Sequence, residues 1–178
     1  MQPSAGFQSV GFAVPPFRLS GTVYGALLNH HSILTALGDA VNQAPYQSPP
    51  RGPILNLKPR NTLIGSGEAV NVPAGVMELE VAASLGIVLG RTACRVAVVE
   101  AFSFIAGYVI VGDISIPNDS HFRPGVRDKA RDGFCPLGPV VTPREKIANP
   151  DALAIHTFID GALVQSASTA DLIRPVAG

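Results

Sequence analysis

The chain has 178 residues, a length typical of one domain, and 47% of them are hydrophobic, which is enough for a core. Its 13 Lys and Arg balance 13 Asp and Glu without forming a basic stripe, which excludes a surface that neutralises nucleic-acid phosphates. Charged residues make up only 15% of a chain that is apolar along its length, so intrinsic disorder is excluded as well.

Targeting signals are absent from the sequence pattern. Residues 1–7 have neither the basic start nor the apolar core of a signal peptide. The longest apolar stretches, residues 85–89 and 104–111, are too short to span a bilayer. Two cysteines are too few for a disulfide framework. We therefore expect a cytoplasmic protein with no membrane and no nucleic-acid partner.

The first half of the chain predicts two strands around a helix. Residues 23–28 form a short apolar run typical of a strand. Apolar residues at helical spacing predict a helix over residues 30–43, with Asn29 or Ser32 as its cap and Pro45 as its end. A second strand is predicted over residues 54–58, where Pro59 stops it.

A long apolar run gives the strongest strand signal. Residues 79–89 are apolar on both faces of a strand apart from Glu80 and Ser84. A strand that is apolar on both sides is typical of the middle of a sheet. Residues 107–116 predict another buried strand beyond two helical turns over residues 98–104.

The C-terminal part carries a hairpin signal. Residues 153–159 and 162–165 flank Asp160 and Gly161, the dipeptide favoured by a two-residue type I′ turn. Many Gly and Pro residues also separate short segments along the chain, which favours strands joined by turns over a helical bundle. Together these elements predict a mostly β, mixed-sheet domain with a few short helices.

Three carboxylates are candidates for a metal site. Glu78 and Glu80 lie two positions apart, so on a strand their side chains point to the same face and could bind one hard cation. The alternative is that both lie in solvent at the entrance of the strand. Asp113 lies at the end of a buried strand, where a carboxylate needs a partner, a metal or a pocket.

A basic segment without periodicity, residues 120–139, reads as a functional loop. Lys129 and Asp132, three positions apart, could orient an anionic substrate. Arg123 and Arg131 could each hold a substrate carboxylate through two parallel hydrogen bonds.

Several motifs, in order along the chain, resemble those of the fumarylacetoacetate hydrolase superfamily. They include Lys-Pro-Arg-Asn-Thr-Leu-Ile-Gly at 58–65 and Leu-Gly-Ile-Val-Leu-Gly-Arg at 85–91. Further matching stretches lie at 106–108, 113–115, 123–124, 129–139 and 169–173. The Asp-Gly-Phe-Cys-Pro block within 129–139 is similar to the branch of 4-hydroxyphenylacetate (homoprotocatechuate) isomerase/decarboxylases, and in particular to their N-terminal half or first subunit.

The resemblance implies a fold and a chemistry. The fold is a mostly β roll of mixed sheets, of the type of the family's C-terminal domain and usually dimeric. Active members bind Mg²⁺ or Mn²⁺ through a Glu-x-Glu pair on one strand and an Asp about one strand later. The metal chelates two oxygens of a dioxo acid and stabilises the enolate that forms, which is Lewis-acid catalysis.

The metal-binding pattern is only partly retained. Counting back from Gly90 in the family's register, the two glutamate positions fall on Ala82 and Ser84, and only Asp113 remains. A single carboxylate leaves a hard dication with little affinity. A register shifted by four residues would instead use Glu78 and Glu80, so that alternative stays open.

The family's lid residues also differ in this chain. The places of a His and a Glu after the first strand's Asn fall on Ile33 and Ala36. Lys129 matches the family's active-site lysine and Asp132 its neighbour, so these two are expected to be retained. The pattern is that of a degenerate half whose catalytic partner lies elsewhere.

The resemblance predicts an N-terminal extension over residues 1–20, which could be disordered, and a family domain over residues 21–178 that is incomplete at its C-terminal end. The expected function is that of a subunit or half of an isomerase/decarboxylase acting on 5-oxopent-3-ene-1,2,5-tricarboxylate and 2-hydroxyhepta-2,4-diene-1,7-dioate. It would bind di- or tricarboxylate substrates and form a homodimer or an assembly with a homologous active subunit.

Two alternatives remain open. One is a non-catalytic structural partner of an active subunit. The other is a stand-alone, metal-dependent dioxo-acid hydrolase or decarboxylase that uses Glu78, Glu80 and Asp113.

Overall fold

The computed structural model describes residues 12–44, 47–118 and 125–178. It begins with a hairpin of strands β1 (Phe12–Val14) and β2 (Phe17–Leu19). Val14 is only 2% exposed and belongs to the central hydrophobic cluster. The described part of the expected N-terminal extension therefore packs on the domain.

The next two strands pair with each other. Strand β3 (Val23–Leu27) runs antiparallel to strand β4 (Ile54–Lys58), with Val23 opposite Lys58. Both predicted strands are confirmed in their positions. On β4 the side chains of Asn56 and Lys58 are buried, whereas Leu55 and Leu57 on the opposite face are exposed, as alternation along a strand requires.

The helix between these strands is shorter than predicted. Helix α1 (His31–Leu37) ends where Gly38 adopts φ = 50°, and a 3-10 turn continues over Gly38–Asn42. The predicted caps, Asn29 and Ser32, are wrong, because the N-cap position is His30 and its side chain makes no capping bond. Asp171, from the far end of the chain, accepts hydrogen bonds from the backbone N–H and the hydroxyl of Ser32.

The core of the domain is a long antiparallel pair. Strand β6 (Glu80–Leu89) pairs along its length with β7 (Ile105–Ser115), and a short strand β9 (Thr142–Pro143) flanks β7 on its other side. The expectation that the 79–89 strand lies in the middle of the sheet is wrong for the described residues, since β7 takes that place. The apolar composition of β6 does not mean that the strand is central, because its Val81, Ile87 and Leu89 side chains are exposed.

Short elements close the fold around β7. Strand β5 (Leu63–Ile64) pairs in parallel with β8 (Cys135–Pro136), and a one-turn helix, α2 (Val126–Lys129), lies against β4 and β7. The predicted turns over residues 98–104 are a 3-10 helix, Val98–Phe104. The buried cluster that these elements enclose consists of Val14, Val109, Cys135, Leu137 and Val141.

The predicted C-terminal hairpin is confirmed. Strands β10 (Ala154–Ile159) and β11 (Ala162–Ser168) pair antiparallel across Asp160 and Gly161. Both turn residues have positive φ, 51° and 80°, as a type I′ turn requires. The mostly β architecture with short helices is thus confirmed. No helix among the described residues is both long and apolar enough to cross a bilayer.

Candidate functional site

Strand register brings four of the predicted metal positions to one face of the sheet. Ala82 lies directly opposite Asp113, Glu80 opposite Ser115, and Ser84 opposite Val111. Because side chains alternate along a strand, Glu80, Ala82 and Ser84 share the face on which Asp113 stands. The residue facing Asp113 across the pair is therefore an alanine, which offers no metal ligand.

Asp113 is instead held between two lysines. Lys58 Nζ, from the last residue of β4, donates a hydrogen bond to Asp113 Oδ1. Lys129 Nζ, from the last residue of α2, donates to Asp113 Oδ2 at 3.2 Å. The Lys58 side chain is 4% exposed, against 22% for Asp113 and 21% for Lys129. One carboxylate and two ammonium groups give this cluster a net charge of +1.

The local sequence explains why a lysine is buried here. Lys58 is the last residue of β4 and shares its inward face with Asn56, and Pro59 ends the strand directly after it. The side chain must therefore extend into the domain, where an ammonium group is costly unless a charge compensates it. Asp113 supplies that charge. Sequence reasoning did not single out Lys58, because alternation along β4 favours Leu55 and Leu57 as its inward side chains, whereas both are exposed in the structure.

Cys135 lies beside the same charges. Its side chain is fully buried. Burial raises the pKa of the thiol to about 11, while Lys58 lowers it and Asp113 raises it further. The thiol stays protonated at neutral pH and is no nucleophile. Cys94, by contrast, is exposed.

Glu78 and Glu80 do not join Asp113 in this register. Glu78 precedes β6 and is exposed, and Glu80 is exposed at the first position of the strand. Ser115 Oγ donates to Glu80 Oε2 at 3.4 Å. No group of three His, Cys, Asp or Glu side chains in the described ranges is arranged to hold a metal ion. The described donor set, one carboxylate engaged by two ammonium groups, does not fit Mg²⁺ or Mn²⁺.

Asp132 and Arg131, two further predicted residues of the basic loop, have hydrogen-bond partners other than Asp113. Asp132 is exposed and accepts a hydrogen bond of 2.6 Å from Asn61 Nδ2. Arg131 Nε donates to the backbone oxygen of Arg127 at 2.8 Å. Arg123 lies outside the described residues. The structure thus brings Lys129 to Asp113, and the roles assigned to the four loop residues remain predictions.

The lid positions carry no acid or base. Ile33 and Ala36 lie exposed on α1. That helix is fixed to the C-terminal segment by Asp171, which accepts from the backbone N–H of Ser32 at 3.1 Å and lies 3.6 Å from His30 Nδ1. The hydrogen bonds from Ser32 lower the pKa of Asp171.

The comparisons with known proteins agree with this fold and these motifs. A model of the fumarylacetoacetate (FAA) hydrolase C-terminal family matches residues 22–178. The chain belongs to this family. It is 40% identical over 159 residues to the 4-hydroxyphenylacetate degradation bifunctional isomerase/decarboxylase of Escherichia coli. That match covers 89% of this chain and 36% of the relative, so the chain spans about a third of the relative's length.

Two solved enzyme structures share this fold. A 5-carboxymethyl-2-hydroxymuconate delta-isomerase from Mycobacterium smegmatis matches with a TM-score of 0.70 at 26% identity, covering 88% of this chain and 58% of that one. Fumarylpyruvate hydrolase from Pseudomonas aeruginosa, in complex with Mn²⁺ and pyruvate, matches with a TM-score of 0.74 at 21% identity. The latter match covers 99% of this chain and 76% of that one and supports the fold alone.

Proposed function

We propose that this chain is a half or subunit of a 4-hydroxyphenylacetate catabolic isomerase/decarboxylase, acting in the cytoplasm on 5-oxopent-3-ene-1,2,5-tricarboxylate and 2-hydroxyhepta-2,4-diene-1,7-dioate. The 40% identity to the E. coli isomerase/decarboxylase supports the pathway. One observation carries the role of a degenerate half: Ala82 faces Asp113, and Lys58 and Lys129 hold both carboxylate oxygens.

The metal would come from a homologous partner domain. The family's Mg²⁺ or Mn²⁺ needs several oxygen ligands, and in this chain only Asp113 remains at the matching place. We therefore assign metal-dependent enolate stabilisation to the partner. This chain contributes a fixed positive cluster, and Lys129, Arg123 and Arg131 are its proposed contacts to substrate carboxylates.

Exposed apolar side chains favour such an assembly. They lie on β6, on β7 and on the C-terminal hairpin: Val81, Ile87, Leu89, Ile110, Phe158, Ile159, Leu163 and Val164. Exposed apolar surface of this kind marks interaction sites in soluble proteins. It also favours the second candidate function, a purely structural partner that stabilises an active subunit without touching substrate.

Reconstitution distinguishes these roles. The chain is mixed with a homologous subunit that carries an intact Glu-x-Glu pair, and substrate turnover is followed by ultraviolet absorbance with Mn²⁺ present. We expect no turnover by the chain alone and a higher rate in the mixture than with the partner alone. A chain carrying Lys129→Met should bind the partner but lose this gain, with Lys146→Met as the matched control.

Two results would reject the proposal. If Lys129→Met retains the full gain, the chain is a structural partner only. If the chain alone turns over substrate with Mn²⁺ and Glu80→Ala abolishes that activity, it is the stand-alone enzyme.

A further inference from the structure

A cavity lies on the face of β7 that is opposite to Asp113. Its volume is about 440 Å³, which is within the range of small-ligand sites. Tyr108 lines this cavity, and because it lies five residues before Asp113 on β7, its side chain points to the other face of the strand. The cavity is therefore separate from the cluster of Lys58, Asp113 and Lys129. Its walls include Phe102, Arg144, Ile147, Asn149 and Asp151.

The hydroxyl of Tyr108 has no hydrogen-bond partner in the described part of the chain. The residue is only 3% exposed. Burial raises the pKa of Tyr108, Arg144 lowers it and Asp151 raises it again, so the hydroxyl is protonated at neutral pH and both charged side chains lie near it. Buried hydroxyl groups are normally satisfied, so this one indicates a polar group bound in the cavity.

Within the described residues, two opposite charges line the cavity without forming an ion pair with each other. Arg144 Nη1 donates to the backbone oxygen of Phe102 at 2.6 Å, and Arg144 Nε lies 3.7 Å from Glu145 Oε1. A guanidinium group has five N–H donors, so three of them, on Nη1 and Nη2, have no acceptor in the same ranges. Asp151 Oδ1 accepts from the backbone N–H of Val176 at 2.8 Å, and no described group donates to its Oδ2.

These charges determine which ligand fits. A dicarboxylate would be repelled by Asp151 and a simple amine by Arg144, whereas a molecule that carries both charges can pair with both side chains. The hydroxyl of Tyr108 adds a further donor, and the side chains of Phe102 and Ile147 offer apolar contact. An α-amino acid with an apolar side chain combines these features.

We infer that this cavity binds an α-amino acid with an apolar side chain, whose carboxylate contacts Arg144 and Tyr108 and whose ammonium group contacts Asp151. No bond is made or broken in this step. The inference goes beyond the proposed function, because it requires no partner subunit, no metal and no residue of the cluster around Asp113.

The tyrosines of the chain allow a direct test. The sequence contains three of them, and Tyr24, on β3, is 64% exposed and does not line the cavity. The full chain is labelled with ¹³Cζ-tyrosine, and the signals are assigned with Tyr108→Phe and Tyr24→Phe. L-leucine should shift the Tyr108 signal saturably in the millimolar range, while the Tyr24 signal stays in place.

Analogues of L-leucine separate its two charges. Isocaproate keeps the carboxylate and the branched chain but lacks the ammonium group, and isoamylamine lacks the carboxylate. Each should bind the wild-type chain at least about tenfold more weakly than L-leucine, because each leaves one charged side chain of the cavity unpaired. This comparison needs no variant, so it holds even if a variant fails to fold.

Variants assign each charge by calorimetry. Arg144→Met should weaken L-leucine binding at least about tenfold without weakening that of isoamylamine, since it removes the carboxylate's partner. Asp151→Asn should also weaken L-leucine binding but should tighten that of isocaproate, because it removes a repelling carboxylate. Lys146→Met, two residues from Arg144 and outside the cavity walls, is the matched control and should change neither affinity.

Two results would overturn the inference. One is the absence of a saturable Tyr108 shift up to the solubility limit of L-leucine, which would mean that water satisfies the hydroxyl. The other is binding of isocaproate or isoamylamine as tightly as L-leucine, which would show that the cavity does not recognise both charges together.

Discussion

Lys58 Nζ, at the end of β4, donates a hydrogen bond to Oδ1 of Asp113, which lies 55 residues further along the chain on β7. The lysine is almost fully buried, so the free energy of this pair depends on both partners being present. Removing only one partner leaves an uncompensated charge in the interior and lowers the free energy of unfolding. Replacing both partners by apolar residues can leave that free energy nearly unchanged.

The first prediction follows from that asymmetry. Asp113→Leu should lower the free energy of unfolding by about 3 kcal/mol, because it leaves buried Lys58 without a counter-charge. The double variant Lys58→Met with Asp113→Leu should recover most of this loss. Urea denaturation of the four members of the cycle measures the coupling, with Lys146→Met as a control for loss of a lysine. Strictly additive effects would show that the pair contributes nothing.

The contact between Lys58 and Asp113 could not be predicted from the sequence. A contact between residues 58 and 113 depends on how two strands of different sheets pack, which no local pattern encodes. The same holds for Ser32, whose partner Asp171 comes from the other end of the chain. Local chemistry did predict what depends on neighbours in sequence, such as the type I′ turn at Asp160 and Gly161.

Whether a strand is central or at the edge of its sheet could also not be predicted from the sequence. Both long apolar runs form strands as predicted, but β7 is central and β6 lies at the edge in the described residues. A strand that is apolar on both faces can be buried inside the domain or can form an interface with another protein, and the sequence does not distinguish the two. The register with Ala82 opposite Asp113 was, by contrast, consistent with counting back from Gly90.

The second prediction concerns Cys135. Burial raises the pKa of this thiol to about 11, whereas the thiol titrates near its ordinary value in the unfolded chain. Between about pH 9 and pH 11 the folded chain therefore binds more protons, so the free energy of unfolding falls as the pH rises through that window. We expect a fall of about 2 kcal/mol.

Comparison with Cys135→Ala isolates this effect. The variant should lose that component of the pH dependence while keeping those of other groups. In the folded wild-type chain an aromatic disulfide reagent at pH 8 should modify Cys94 alone, since Cys94 is exposed and Cys135 is not. Equal reactivity of the two thiols would contradict the burial of Cys135.

The third prediction is a gain of metal binding. Ala82→Glu with Ser84→Glu places two carboxylates on the strand face that carries Asp113, which supplies the oxygen ligands that a divalent cation needs. This double variant should bind Mn²⁺ at least about tenfold more tightly than the wild-type chain by electron paramagnetic resonance. Val81→Glu with Ala83→Glu, on the opposite face, is the matched control and should not.

The fourth prediction concerns the attachment of α1. The hydrogen bonds from Ser32 lower the pKa of Asp171 in the folded state, so this contribution to stability is present at neutral pH and is lost as the pH falls below the carboxyl's ordinary value. Asp171→Asn should make amide exchange in α1 severalfold faster at pH 7. Unchanged exchange would mean that other contacts hold the helix. Asp151→Asn, which alters a carboxylate bound to Val176, serves as the comparison.

The most direct test of a degenerate metal site is a Mn²⁺ titration of the chelator-treated wild-type chain, followed by electron paramagnetic resonance. With Ala82 facing Asp113 and two lysines on its carboxylate, we expect free Mn²⁺ to rise in proportion to the amount added, with no saturable binding at micromolar concentrations. Stoichiometric micromolar binding that disappears in Glu80→Ala would show instead that the chain carries its own metal centre.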